Sequence, residues 1–191
     1  MELAADLEKN REAVLEMWFE AIVRTYPQQT SQFLASQKDR FQNPMGYAIK
    51  RSIGPVYDQI ATAMDTDALY EALDSVIRIR SVQEFTPSEA VSFVFQLKSI
   101  IRDVFGERAR ELEQAGGLAD LDERIDRVAM VAFDKYMECR QKLFEIRTNE
   151  IRRQSDKLLE RYTSQPCTPQ TREKATMSPC DLSSEKGGCG R

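Results

Sequence analysis

The chain is predicted to be all-α: a single helical bundle of about six helices over residues 1–162, followed by a disordered tail over 163–191. Three observations carry this prediction. Apolar residues recur at steps of three and four along most of the chain, and no segment shows the alternation of a strand. Helix starts are marked by cap chemistry at Asn43-Pro44, at Asp65-Thr66-Asp67 and at Thr86-Pro87-Ser88-Glu89. The end of the chain changes character, with three of the seven prolines after Tyr162 and almost no bulky apolar residue. Such a segment buries too little to offset its ordering entropy. At 191 residues and 41% hydrophobic, the chain has the size and composition of one domain with a real core.

Residues 2–25 read as one amphipathic helix with Leu3, Leu7, Val14, Trp18 and Ile22 on its apolar stripe. Tyr26-Pro27 ends it, because the residue before proline is pushed out of the α region. Trp18, the sole tryptophan, is favoured as a core residue over a ligand-stacking one by the tendency of large aromatics to be buried. Thr30–Gln37 is a short helical turn carrying Phe33 and Leu34. Asn43 and Pro44 then launch a helix burying Met45, Ile49, Ile53, Val56, Ile60 and Met64. Gly54-Pro55 interrupts that pattern, and an interior proline predicts a kink or a split into two helices.

After the Asp65 cap, Leu69, Leu73, Val76 and Ile77 continue helical spacing to about Val82. Two readings are open for Arg78 and Arg80, close to Glu84: solvated side chains, which is the favoured reading, or one arginine drawn to a partly buried carboxylate. Thr86, Pro87 and Glu89 form a capping box with Phe85 before it as a staple. The helix they start, to about Phe105, is apolar on more than one stripe. It is therefore either central or buries a second face against another subunit, and Phe93, Val94, Phe95, Leu97 and Ile101 are the candidate dimer or pocket face. Residues 106–117 read as a polar helical tail and turn.

Asp120 to Glu123 repeats the capping pattern and opens the longest helix, 120–162. Its first half carries Ile125, Val128, Ala132, Tyr136, Cys139, Leu143 and Ile146 at core spacing. Its second half has only Ile151, Leu158, Leu159 and Tyr162, enough for a short two-stranded seam with a partner.

The chain has no histidine, which excludes Ser-His-Asp and Cys-His catalysis, HExxH zinc sites and histidine-ligated haem. No phosphate-cradling glycine loop precedes a helix. No catalytic, cofactor-binding or metal-binding residue is therefore named, no cofactor is implied, and an enzyme is disfavoured. A net charge of −4 argues against nucleic acid as a partner. No run is apolar enough for a membrane span, and the acidic N-terminus is no targeting sequence, so a cytoplasmic protein is expected. Cys167, Cys180 and Cys189 are spaced unlike any compact metal motif. Tail thiols without a defined role are the favoured reading; redox thiols are the alternative. The acidic run Asp120, Asp122 and Glu123 is better explained by the positive end of a helix dipole than by a metal.

Five segments together resemble the N-terminal domain of RsbRD, the RsbT co-antagonist family of bacterial stress regulators. They are Trp18 with Tyr26-Pro27; Asn43-Pro44-Met45-Gly46-Tyr47-Ala48; Arg78-Ile79-Arg80-Ser81-Val82-Gln83; Phe85-Thr86-Pro87-Ser88-Glu89-Ala90; and Phe133-Asp134-Lys135-Tyr136-Met137-Glu138-Cys139-Arg140. They cover roughly residues 10–150 in order. The resemblance implies a sensory or interaction module, not an enzyme, with a globin-like, haem-free fold that forms homodimers. In such regulators the domain precedes a STAS output domain, and no STAS-like strand–helix pattern follows here. The expected function is a regulatory domain acting through protein–protein contacts, with a homodimer as the expected assembly. The alternative is a small-molecule or thiol-redox sensor using an interhelical pocket or the tail cysteines.

Overall fold

The computed structural model describes residues 2–36, 41–62, 64–83 and 85–163. Glu84 and everything beyond Thr163, including the expected disordered tail and its three cysteines, lie outside the described residues. Within them the chain forms eight α-helices and no strand: α1 (Glu2–Lys9), α2 (Arg11–Arg24), α3 (Gln28–Ser36), α4 (Pro44–Ala61), α5 (Thr66–Val82), α6 (Pro87–Phe105), α7 (Glu107–Gln114) and α8 (Gly117–Thr163). Two units are distinguished, Met1–Asn149 and Glu150–Arg191. The core and all sites below belong to the first. Of the second, residues 150–163 are helical, with Ile151, Leu158, Leu159 and Tyr162 exposed.

Three of the predicted caps form, at Asn43, Asp65 and Thr86. Asn43 Oδ1 accepts from the Gly46 amide at 2.8 Å while its Nδ2 donates to Leu34 O at 2.9 Å, so one buried side chain starts α4 and ties it to α3. The Asp65 carboxylate accepts from the amides of Asp67 and Ala68. At α6 the box is complete: Thr86 Oγ1 accepts from the Glu89 amide, and Glu89 Oε2 accepts from the Thr86 amide at 2.9 Å.

In the core, α2 packs on α6 and α4, and α4 packs on α5. Three buried aromatic groups each donate to a backbone carbonyl far away in sequence, which satisfies their polar ends. Trp18 Nε1 donates to Phe93 O (2.7 Å), the Tyr57 hydroxyl to Leu7 O (2.9 Å) and the Tyr136 hydroxyl to Phe85 O (2.7 Å). The Trp18 and Phe93 rings stack with centroids 6.0 Å apart. Charged pairs join elements at the rim: Arg11 to Asp58 (bidentate, 2.8 and 2.9 Å), Arg108 to Asp6, and Arg102 to Asp122 (3.1 and 2.6 Å). Arginines of α8 also serve as helix stops. Arg124 donates to the carbonyls of Ile60 and Thr62 at the end of α4, and Arg140 donates to Ser81 O near the end of α5.

The structure corrects several expectations. The segment 2–25 is two helices, because the Asn10 side chain donates to Asp6 O at 2.8 Å and its backbone (φ −102°, ψ 7°) leaves the helical region. Conversely, Gly54-Pro55 does not split α4. Ile53, Val56 and Tyr57 are buried around it, and the missing amide costs one bond in a helix held by its packing. Gly54 has a packing role: a β-carbon there would lie 3.3 Å from Arg11 Nη2. The polar stretch after Phe105 is a separate helix, α7, set off by Gly106 and Gly116 at positive φ (55° and 78°) and anchored by buried Ala109 and Leu112. Finally, α8 starts at Gly117, not at an Asp120 cap. Leu118 and Leu121 are both buried, and that burial extends the helix back by a turn. Core spacing on α8 holds through Tyr136, but Ile146 is 65% exposed.

Candidate functional site

Three places could carry function, and the first is the corner between α5 and α6. Arg80 is fully buried there, against the favoured reading of a solvated arginine, whereas Arg78 is exposed and pairs with Asp74 one turn back. The described partners of Arg80 are not carboxylates. Its guanidinium donates to Glu89 O (2.9 Å) and Thr25 Oγ1 (3.1 Å) and lies over the rings of Phe85 (4.3 Å), Phe93 (5.4 Å) and Tyr26 (5.5 Å). Arginine suits this box because its planar, weakly hydrated cation stacks on aromatic faces. Burial lowers its pKa, opposed by the nearby Tyr26 phenol, whose own pKa burial raises. Phe85 therefore does more than staple a helix: it forms a floor of the box and meets Tyr26 edge-on.

The second place is a cleft of about 420 Å³ between α5 and α8, lined by Tyr70, Asp74, Arg78, Lys135, Cys139 and Leu143 among others. Lys135 is 4% exposed, its ammonium 3.0 Å from Asp74 Oδ1 and 3.6 Å from the Tyr70 ring centroid. Burial pushes the Asp74 carboxyl up, but Lys135 and Arg78 outweigh it and hold the group below the usual carboxylate range. Glu138 accepts from the Tyr70 hydroxyl, pushing that phenol up to about 12, and also pairs with Lys142. Cys139 is half-buried in this cleft. Sequence reasoning passed over Lys135, although a signal existed: it sits three residues after Ala132 and four before Cys139, on the inward stripe of α8.

The third is an apolar surface. Four of the five residues expected on a dimer or pocket face are interior: Phe93, Val94, Leu97 and Ile101 are at most 1% exposed. Phe95 alone is exposed. With Pro87, Val91, Met130 and Phe133 it lines an apolar groove of about 620 Å³ between α6 and α8. The tail cysteines expected as redox thiols lie outside the described residues. Asp122 and Glu123 are engaged with Arg102 and Arg127, and no metal-holding group of three or more Cys, Asp or Glu exists among the described residues. Nor is any described helix long and apolar enough to cross a membrane.

The model of the RsbT co-antagonist protein rsbRD N-terminal domain matches residues 12–151. The chain belongs to this family. The match spans α2 through most of α8, close to the span that the five sequence segments marked out. A relative from Archaeoglobus fulgidus, described only as an uncharacterized protein, is 22% identical over 143 residues, covering 74% of this chain and 84% of that protein. No solved structure matches the chain. Within this RsbRD N-terminal domain the recognisable segments map onto packing. Trp18, Tyr26, Arg80, Phe85 and Tyr136 all meet at or beside the α5–α6 corner.

Proposed function

We propose that this RsbRD N-terminal domain is a non-enzymatic regulatory domain that acts in stress or signalling control through protein–protein contacts, as a cytoplasmic homodimer. The observation that carries the reading is the outward apolar surface of α6 and α8. Phe95, Met130, Phe133 and Met137 are 38–63% exposed on a domain whose core is otherwise well closed. Exposed apolar groups gathered in this way favour burial against another protein surface. The family description, a co-antagonist, supports the same role.

Two measurements test it. Light scattering on the purified chain should give twice the 21.9 kDa monomer mass. Deleting the gene should change the induction of stress-responsive transcripts, restored by the wild-type chain. A strain whose stress response is indifferent to the deletion would sink the regulatory role.

A second reading, a small-molecule or thiol-redox sensor, is supported by the cleft holding Lys135, Tyr70 and Cys139. A thiol probe applied with and without oxidant tests it. If Cys139, Cys167, Cys180 and Cys189 can all be replaced by Ser without altering the transcript response, the redox version fails.

A further inference from the structure

The cleft between α5 and α8 carries an unbalanced charge. Among the described residues that line it, three cations, Arg78, Lys135 and Lys142, face two carboxylates, Asp74 and Glu138. Asp74 is shared, with Arg78 Nε 2.9 Å from one oxygen and Lys135 Nζ 3.0 Å from the other. Glu138 accepts from Lys142 and also from the Tyr70 hydroxyl. Lys135 is the cation for which the shortage matters. It is 4% exposed, and a buried ammonium is costly unless its charge and its donors are met. Its three N–H donors find a half-share of one carboxylate and the face of the Tyr70 ring. Arg78 and Lys142 are exposed, and water serves them. The other half of the cleft is apolar: Val82 and Ile146 are each 65% exposed, with Leu143 and Cys139 half-buried. A volume of about 420 Å³ that joins convergent polar groups to an apolar wall is the build of a small-molecule site.

We propose that this cleft binds a small amphiphilic monocarboxylate, its carboxylate at Lys135 and its apolar body along Val82, Leu143 and Ile146. The proposal rests on the small-molecule reading above and names the class of ligand. One added negative charge balances the cleft and gives Lys135 a second charged acceptor. A dianion such as a phosphate ester overshoots, because Asp74 and Glu138 stay in place and repel the extra charge. Chloride or acetate balances the charge but leaves the apolar wall in water. A neutral alcohol covers the wall and leaves the charge as it stands. An amphiphilic carboxylate alone answers both halves of the cleft.

Octanoate is the probe, and Cys139 reports where it sits. The chain has four cysteines, so Cys167→Ser, Cys180→Ser and Cys189→Ser together leave Cys139 as the sole thiol. Octanoate should slow its labelling by N-ethylmaleimide, and the half-protecting concentration, referenced to each variant's own unprotected rate, measures affinity. Acetate, 1-octanol and octyl phosphate should each be weaker by about tenfold or more. In the same background Lys135→Met, which keeps the apolar stem, should weaken octanoate by about tenfold or more. Lys142→Gln and Ile146→Ser, at exposed positions with little bearing on folding, should weaken it several-fold. Helical circular dichroism and Trp18 emission confirm that each variant folds. Octanoate that gives no protection overturns the proposal, as does acetate or octyl phosphate protecting equally well. Equal protection by 1-octanol overturns the anionic class and leaves a small-molecule cleft standing. Protection that all three cleft substitutions leave unchanged overturns the site. The sensing reading fails separately, if Lys135→Met abolishes protection yet supports the wild-type transcript response.

Discussion

Arg80 shows how one residue can organise a corner of the fold through contacts alone. Its charge is buried, and its partners among the described residues are a carbonyl, a hydroxyl and three rings. Arg80→Ala opens a void the size of a guanidinium and leaves those groups unsatisfied. It should cost about 3 kcal/mol or more, read as a lowered urea midpoint. Arg80→Lys should recover little, because an ammonium cannot serve two acceptors while lying flat on rings. Trp18→Phe removes the bond to Phe93 O and part of the ring stack, and should cost about 1–3 kcal/mol by the same measurement. Asn43 and Gly46 form a coupled pair, since a β-carbon on Gly46 would lie 2.4 Å from Asn43 Nδ2. Asn43→Ala should cost about 1–2 kcal/mol as a lost cap. Gly46→Ala should cost a similar amount by displacing the same cap, and the double variant should cost clearly less than the sum.

At the scale of elements, helix starts were legible from the sequence and helix partners were not. Asn43, Asp65 and Thr86 cap as their local sequence dictates, because a cap closes within three residues and needs no knowledge of the rest of the chain. The split allowed at Gly54-Pro55 and the cap at Asp120 fail for the complementary reason: local signals there are overridden by burial of Ile53, Tyr57, Leu118 and Leu121, and burial is decided by distant elements. The same limit moved the outward apolar face. The composition of α6 implied two greasy sides, but which neighbour covers each is a matter of assembly, and what stays uncovered is Phe95 of α6 beside Met130 and Phe133 of α8. Glu89 adds a test of the best-read element. The Thr86 amide, and then its hydroxyl, hold this carboxyl below the ordinary glutamate value. A carboxylate lowered on folding stabilises above its unfolded pKa, and that contribution is lost as pH falls through the folded one. Glu89→Gln should therefore lower the thermal midpoint at pH 7, with the gap closing in acid where both variants are uncharged.

At the scale of the whole first unit, the rim pairs and α8 arginines tie elements that are far apart in the chain. Arg124 holds the end of α4 and Arg140 the end of α5, sixteen positions apart on one rod, which is roughly 24 Å at the α-helical rise. Each bond carries a donor of α8 to carbonyls at the end of another helix, which would otherwise lack an intrahelical partner. This part of α8 is therefore a common brace for the ends of α4 and α5. Arg124→Ala should accelerate amide exchange at the last turn of α4, and Arg140→Ala at the last turn of α5.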